Sequence, residues 1–131
     1  MRKRMLGNVE VSEIGMGCMG LSHGYGAIPD EGYSVEAIQA ALDYGCTHFD
    51  TAEAYGPNLL SENRGHNERI VGKALAGAGE AVTVATKLHL PADVVAKSSV
   101  ASTLRRHLEA SLSRLQRDYA DAEGRGFLDR K

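Results

Sequence analysis

The chain predicts an α/β fold in which a parallel sheet is covered by helices, and three observations carry that expectation. Short apolar stretches alternate with amphipathic ones in the order β-α-β-α-β-α after an opening hairpin. The segment Ala81-Val82-Thr83-Val84-Ala85-Thr86 is apolar on both faces, as a strand buried beneath helices must be. Turn and capping residues fall between these stretches rather than inside them. Right-handed crossovers leave two architectures open, the start of a (β/α)8 barrel or part of an open doubly wound sheet.

Residues 1–12 read as a hairpin, with Gly7-Asn8 supplying the positive φ angles of a two-residue turn. Glu13-Ile14-Gly15-Met16-Gly17 reads as a short buried strand, and a polar, glycine-bearing loop follows from Ser22 to Tyr33. Ser34 is the expected cap of the first helix, with Glu36 near the positive end of its dipole. Ala37, Ile38, Ala41 and Leu42 share one face of that helix, and Gly45 suits the left-handed residue past its end. Thr47-His48-Phe49-Asp50 reads as the next strand. Asn67 is the expected cap of a second helix with Ile70, Val71, Ala74 and Leu75 inward and Gly77 as its stop. Ser98 or Ser99 opens the longest helix. Its expected core side is Val100, Leu104, Leu108, Leu112 and Leu115, with Arg105, Arg106, Glu109, Arg114 and Arg117 facing water. The β/α units therefore occupy residues 13–121, and residues 122–131 form a charged tail with two glycines and no strand pattern.

Composition narrows the function. The 131 residues suffice for one ordinary domain and not two. A formal charge of -2 argues against a general nucleic-acid binder. No apolar run approaches the ~20 residues of a membrane span, and Gly7, Asn8 and Glu10 interrupt any signal-peptide core, so a cytoplasmic protein is expected. Cys18 and Cys46 form no CxxC, which indicates neither a disulfide scaffold nor a zinc ribbon, and no metal site is expected.

The chemistry belongs at the strand ends, because the loops that follow parallel strands gather on one face of the sheet. The second strand after the hairpin ends at Asp50, and its loop reads Thr51-Ala52-Glu53-Ala54-Tyr55-Gly56; the third ends at Lys87. A carboxylate, a phenol and an ammonium thus arrive together. A free phenol, with its pKa near ~10, is a poor acid at neutral pH. A lysine cation beside it favours the phenolate. Asp50 paired with Lys87 holds the ammonium charged. A tyrosine tuned in this way donates a proton to a carbonyl oxygen while hydride arrives at the carbon. Taken singly, each of these residues is more often a solvated charge or a cap; the joint motif changes that weighting.

DTAEAYG (Asp50–Gly56), NERIVGKAL (Asn67–Leu75) and VATK (Val84–Lys87) closely resemble the aldo-keto reductases. IGMGCMGLSHGYG (Ile14–Gly26) resembles the first strand and loop of the branch that includes potassium-channel β subunits and many bacterial reductases. LEASLSRLQRDYAD (Leu108–Asp121) is similar to that family's third helix and the approach to its fourth strand. The resemblance runs from about residue 5 to residue 121. It implies a (β/α)8 TIM barrel that reduces aldehydes and ketones to alcohols with NADPH, acting on a small carbonyl substrate. It also implies that Tyr55 is the general acid, Lys87 the residue that tunes it and Asp50 the carboxylate beside that lysine. By the same resemblance Gly17, Cys18 and Met19 lie along the nicotinamide and its ribose, Asp50 touches the ribose, and Asn67 and Glu68 are structural.

The family's fourth catalytic group, a histidine ending strand four, has no match. His48, His107, His23 and His66 are excluded by position, and His89 is expected in a surface loop. A (β/α)8 barrel typically needs ~250 residues. The expectation is therefore an incomplete barrel of about three β/α units, the N-terminal part of a reductase, with little activity and weak dinucleotide affinity. Its exposed sheet edges would favour self-association. A non-catalytic fragment that associates with a full-length relative is the alternative. GMGCMG (Gly15–Gly20) satisfies GxGxxG, but Gly24, Gly26, Pro29 and Gly32 occupy the segment where a dinucleotide-binding helix would run.

Overall fold

The computed structural model describes residues 1–90, 92 and 99–126, with the backbone alone for 122–126. Lys3–Leu6 (β1) and Val9–Ser12 (β2) pair antiparallel around Gly7 and Asn8, as the turn chemistry requires. A second sheet contains Met16–Gly17 (β3), His48–Asp50 (β4), Thr83–His89 (β5) and Ala122–Gly126 (β6), all parallel and in that spatial order. Helices Glu31–Asp43 (α1), His66–Leu75 (α2) and Val100–Leu115 (α3) alternate with these strands along the chain.

The sheet has a closed face and an open one. Phe49, Val84, Thr86 and Leu88 are buried against the helices, whereas Asp50, Ala85, Lys87 and His89 alternate with them and remain partly accessible. Ile38 from α1, Val71 and Leu75 from α2 and Leu115 from α3 join Phe49 and Val84 in one apolar cluster. This layer fixes the strand register, and so the heights at which Asp50 and Lys87 emerge on the opposite face.

Several expectations are corrected. α1 begins three residues before Ser34: the Asp30 carboxylate caps it by accepting from the Tyr33 N–H at 3.0 Å, and Glu31 is the acid of its first turn. Ser34 instead lies buried inside the helix, its hydroxyl donating to the Asp30 carbonyl at 3.1 Å. α2 is opened by Gly65 in the left-handed region at φ +76°, not by Asn67. A side chain at Gly65 would be strained by that φ and would collide with Arg114. Gly72 serves close packing too, since a Cβ there would meet the backbone of Arg114 and Leu115.

The largest correction concerns α3. Its buried stripe is Thr103, His107, Ser111 and Leu115, while Val100 is 48% exposed. Arg114 and Arg117 do not face water. Arg114 is ion-paired beneath the helix, and Arg117 donates to the carbonyls of Gly79 and Val82 and to Asp121. A leucine pattern predicted an apolar seam, but beneath α3 lie the buried carboxylates of Glu53, from the loop after β4, and Glu68, from α2, and polar partners win that side.

Residues 122–126, expected to lack strand structure, form β6 beside β5. Parallel main-chain pairing onto the edge of β5 needs no apolar side-chain pattern. Asp121 begins the register: its carboxylate accepts from the Val84 N–H at 2.9 Å and its own N–H donates to the Val84 carbonyl at 3.2 Å. The remainder of the expected tail, 127–131, lies outside the described residues.

A pH effect follows from the entry to α2. His66 Nδ1 lies 2.8 Å from the Ser22 hydroxyl, and burial, followed by the nearby Arg69 charge, lowers its pKa from 6.5. The unfolded chain therefore binds the proton more readily, so this contribution is complete above pH 6.5 and is lost as the pH falls below it. Acidification from pH 7.5 to 5.5 is expected to lower the urea midpoint more in the parent than in His66→Asn. The gap should correspond to below ~1 kcal/mol because the ring is partly solvated. Equal losses in the two proteins would remove His66 from the account.

Candidate active site

The site is built at the end of β4 and near the end of β5, which does not stop at Lys87 as expected but runs two residues further to His89. Asp50 closes β4, and Lys87 lies on β5 one residue beyond Thr86, on the open face that Asp50 shares. The Lys87 ammonium donates to both Asp50 oxygens at 2.7 Å and to the Thr51 carbonyl at 2.8 Å, which occupies all three of its N–H groups. These side chains stay 30% and 44% exposed, for Lys87 and Asp50 respectively, so solvent and a ligand can both reach the pair.

Tyr55 comes to the same place. The Lys87 Nζ lies 5.3 Å from the centroid of its ring, within the range of a cation–π contact. The loop that carries it is pinned along its backbone. Thr51 N–H donates to the Ala85 carbonyl at 2.9 Å, Glu53 N–H to the Lys87 carbonyl at 3.0 Å, and Asn67 N–H to the Tyr55 carbonyl at 3.0 Å. The expected trio of Asp50, Tyr55 and Lys87 is thus together on one face.

Of the three residues expected along a cofactor, Gly17 lies directly beside Asp50. Gly17 pairs in register with Asp50, and open space stands where its Cβ would be. Cys18 is oriented differently from an exposed contact residue. Its N–H donates to the Asp50 carbonyl at 2.8 Å, its carbonyl accepts from the Asn67 amide at 2.8 Å, and its side chain is fully buried. Burial, reinforced by the charge of Asp50 and by Cys46, pushes the thiol up to about 12, so it is no nucleophile at neutral pH. Met19 is partly buried and starts the 3-10 turn Met19–Leu21.

Asn67 and Glu68 hold the site from below, in keeping with their structural reading. The Asn67 side chain accepts from the Thr51 hydroxyl at 2.6 Å and donates to Cys18 and Ser22, joining the β3 and β4 loops. Glu68 accepts from Thr86 at 2.6 Å, immediately before Lys87, and from Arg114 at 2.7 Å. Sequence reasoning named Glu53 only as part of its loop and set His107 aside by position, and so missed their pairing. Their only signal was a polar stripe of Thr103, His107 and Ser111 at four-residue spacing ahead of Leu115, hidden by a leucine stripe one position away. His89 is the last residue of β5 rather than part of a surface loop, and its N–H donates to Glu53. Among the described residues no three His, Cys, Asp or Glu side chains gather where they could hold a metal ion. Among the same residues no helix is long and apolar enough to cross a membrane.

Known proteins resemble the chain in sequence and in fold. The model of the aldo/keto reductase family matches residues 13–122. The aldo-keto reductase YhdN of Bacillus subtilis is 38% identical over 117 residues, covering 86% of this chain and 33% of its own length. An aldo-keto reductase 1 of Glycine max is 34% identical over 116 residues, or 86% of this chain and 32% of its own. The solved holo form of an aldo-keto reductase from Bacillus halodurans superposes with a TM-score of 0.72 at 31% identity, over 94% of this chain and 39% of that one. The chain therefore spans about a third of the length of the curated relatives it matches, and its sheet is the first part of their (β/α)8 barrel. On its sequence and on its fold, the chain belongs to the aldo/keto reductase family.

Proposed function

We propose that these residues are the proton-donating corner of an NADPH-dependent reductase of aldehydes and ketones. The observation that carries this reading is the Lys87 ammonium, held on three sides by Asp50 and Thr51 and set against the Tyr55 ring. A phenol held beside that fixed cation can give its proton to a carbonyl oxygen. Asp50 keeps the ammonium in place and offers carboxylate oxygen toward the hydroxyls of a sugar. The open space at Gly17, beside Asp50, suits the approach of a flat ring, and Gly17, Asp50 and Met19 would hold it. A bound nicotinamide supplies the hydride. NADPH rather than NADH, a small carbonyl substrate and a cytoplasmic setting belong to this proposal through the family resemblance.

Residues 1–131 by themselves are expected to be almost inert. The segment in β6 contains no histidine, and the outer edges of β3 and β6 pair with no other strand among the described residues. Those edges are where further strands of a barrel, or a second copy of this chain, would add. The test joins residues 1–121 to the remaining two-thirds of the Bacillus subtilis relative and follows NADPH oxidation with 4-nitrobenzaldehyde. Turnover in the joined barrel, with none above background for residues 1–131, is expected. A joined barrel that folds and binds NADPH but does not reduce the aldehyde would refute the proposal.

A further inference from the structure

Glu53 is a carboxylate with 1% exposure, two residues before Tyr55, on the side of the sheet away from the site. Both of its oxygens lie within hydrogen-bond distance of His107 Nδ1, at 2.8 and 2.9 Å, so the ring donates from α3. The same carboxylate accepts from the His89 N–H at 3.0 Å, and Arg114 lies 3.7 Å away while donating to Glu68. The backbone of Glu53 is held as closely, its N–H by the Lys87 carbonyl and its own carbonyl by the Gly65 N–H at 2.7 Å. One residue thus joins the end of β5, the start of α2 and the middle of α3.

Stability alone does not account for it. Replacing a buried ion pair by apolar groups of similar size is often neutral or stabilising, so a buried carboxylate is weak evidence of a stabilising role. Its effect is instead directional. The strand residue Lys87 and the loop residue Tyr55 belong to different elements, and Glu53, two residues before Tyr55 in that loop, ties the loop to the strand through its N–H on the Lys87 carbonyl and its carboxylate on the His89 N–H. A separation that differs by about 1 Å at such a site changes rates strongly.

We propose that Glu53, oriented by His107, is a positioning residue that sets the Tyr55 ring against the Lys87 ammonium. This rests on the reading of Tyr55 as the proton donor, yet the contact it concerns exists whether or not a carbonyl is reduced.

The test uses the whole 131-residue chain, isotope-labelled, and reads the nuclear Overhauser signal between the Tyr55 ring and the Lys87 ε-methylene protons. The buried Phe49–Val84 pair provides the reference. In the double variant Glu53→Met/His107→Leu the fold is retained, and the Tyr55–Lys87 signal drops about threefold against that reference. An inverse-sixth-power signal falls by that factor when a proton separation of about 5 Å grows by about 1 Å. An unchanged signal in the folded double variant overturns the proposal, since a purely structural pair would leave it untouched. If the double variant does not fold, His107→Asn and His107→Leu decide. Asparagine retains a donor where Nδ1 stood and preserves the signal, while leucine weakens it; equal signals in the two overturn the proposal. A joined barrel without reductase activity leaves these signals unaffected, so the two readings fail separately.

Discussion

Replacing Tyr55 by Phe in the joined barrel is expected to lower kcat by about 10²–10⁴-fold, the usual contribution of one positioned acid. That range corresponds to about 3–5 kcal/mol of transition-state stabilisation. The substitution is informative because it removes little else. The ring keeps its place 5.3 Å from the Lys87 ammonium, and the loop keeps its backbone bonds to β5 and α2. Substrate binding that does not depend on the hydroxyl is retained, so KM should move much less than kcat. Steady-state NADPH oxidation with saturating aldehyde provides the measurement. A variant that keeps kcat within about tenfold would place the proton donor elsewhere. His89 would then be the first residue to replace, because it ends the same strand as Lys87 and faces the same side.

What could be read from the sequence follows a physical division. The trio of Asp50, Tyr55 and Lys87 was legible because strand ends and the loops after them are set by local pattern and by the parallel topology. The hairpin and the strand read at Ala81–Thr86 were legible for the same reason, although that strand starts at Thr83 and runs on to His89. The helix starts were not: Asp30 outcompeted Ser34 as a cap, and Gly65 replaced Asn67 because Asn67 was needed beneath the loops. Buried polar groups were the least legible. Glu53, Glu68, His107 and Arg114 resemble surface residues in any one-dimensional reading, and only their meeting beneath α3 from three separate segments makes their burial tolerable. The strand at Ala122–Gly126 escaped for a further reason, since its pairing is carried by main-chain groups on the free edge of β5.

Phe49→Ala is expected to have the largest effect on stability. The ring is completely buried on the helix-facing side of β4, between the register partners Met16 and Val84 and beneath α1 and α2. Truncating a buried phenylalanine typically costs about 3–5 kcal/mol, part lost transfer energy and part cavity. Domains hold only about 5–15 kcal/mol in total, and small ones lie toward the lower end. Urea unfolding followed by circular dichroism should thus find Phe49→Ala largely unfolded, while Phe49→Leu, which keeps most of the volume, retains a cooperative transition at a lower midpoint. The comparison also locates what holds the site. Asp50 follows Phe49 directly, and its height on the open face is set by the residue packed on the closed one. If Phe49→Ala lost less than about 1 kcal/mol, the apolar layer would not be what fixes β4. The polar ties from Asn67 and Glu68 would then have to carry the register of the strand by themselves.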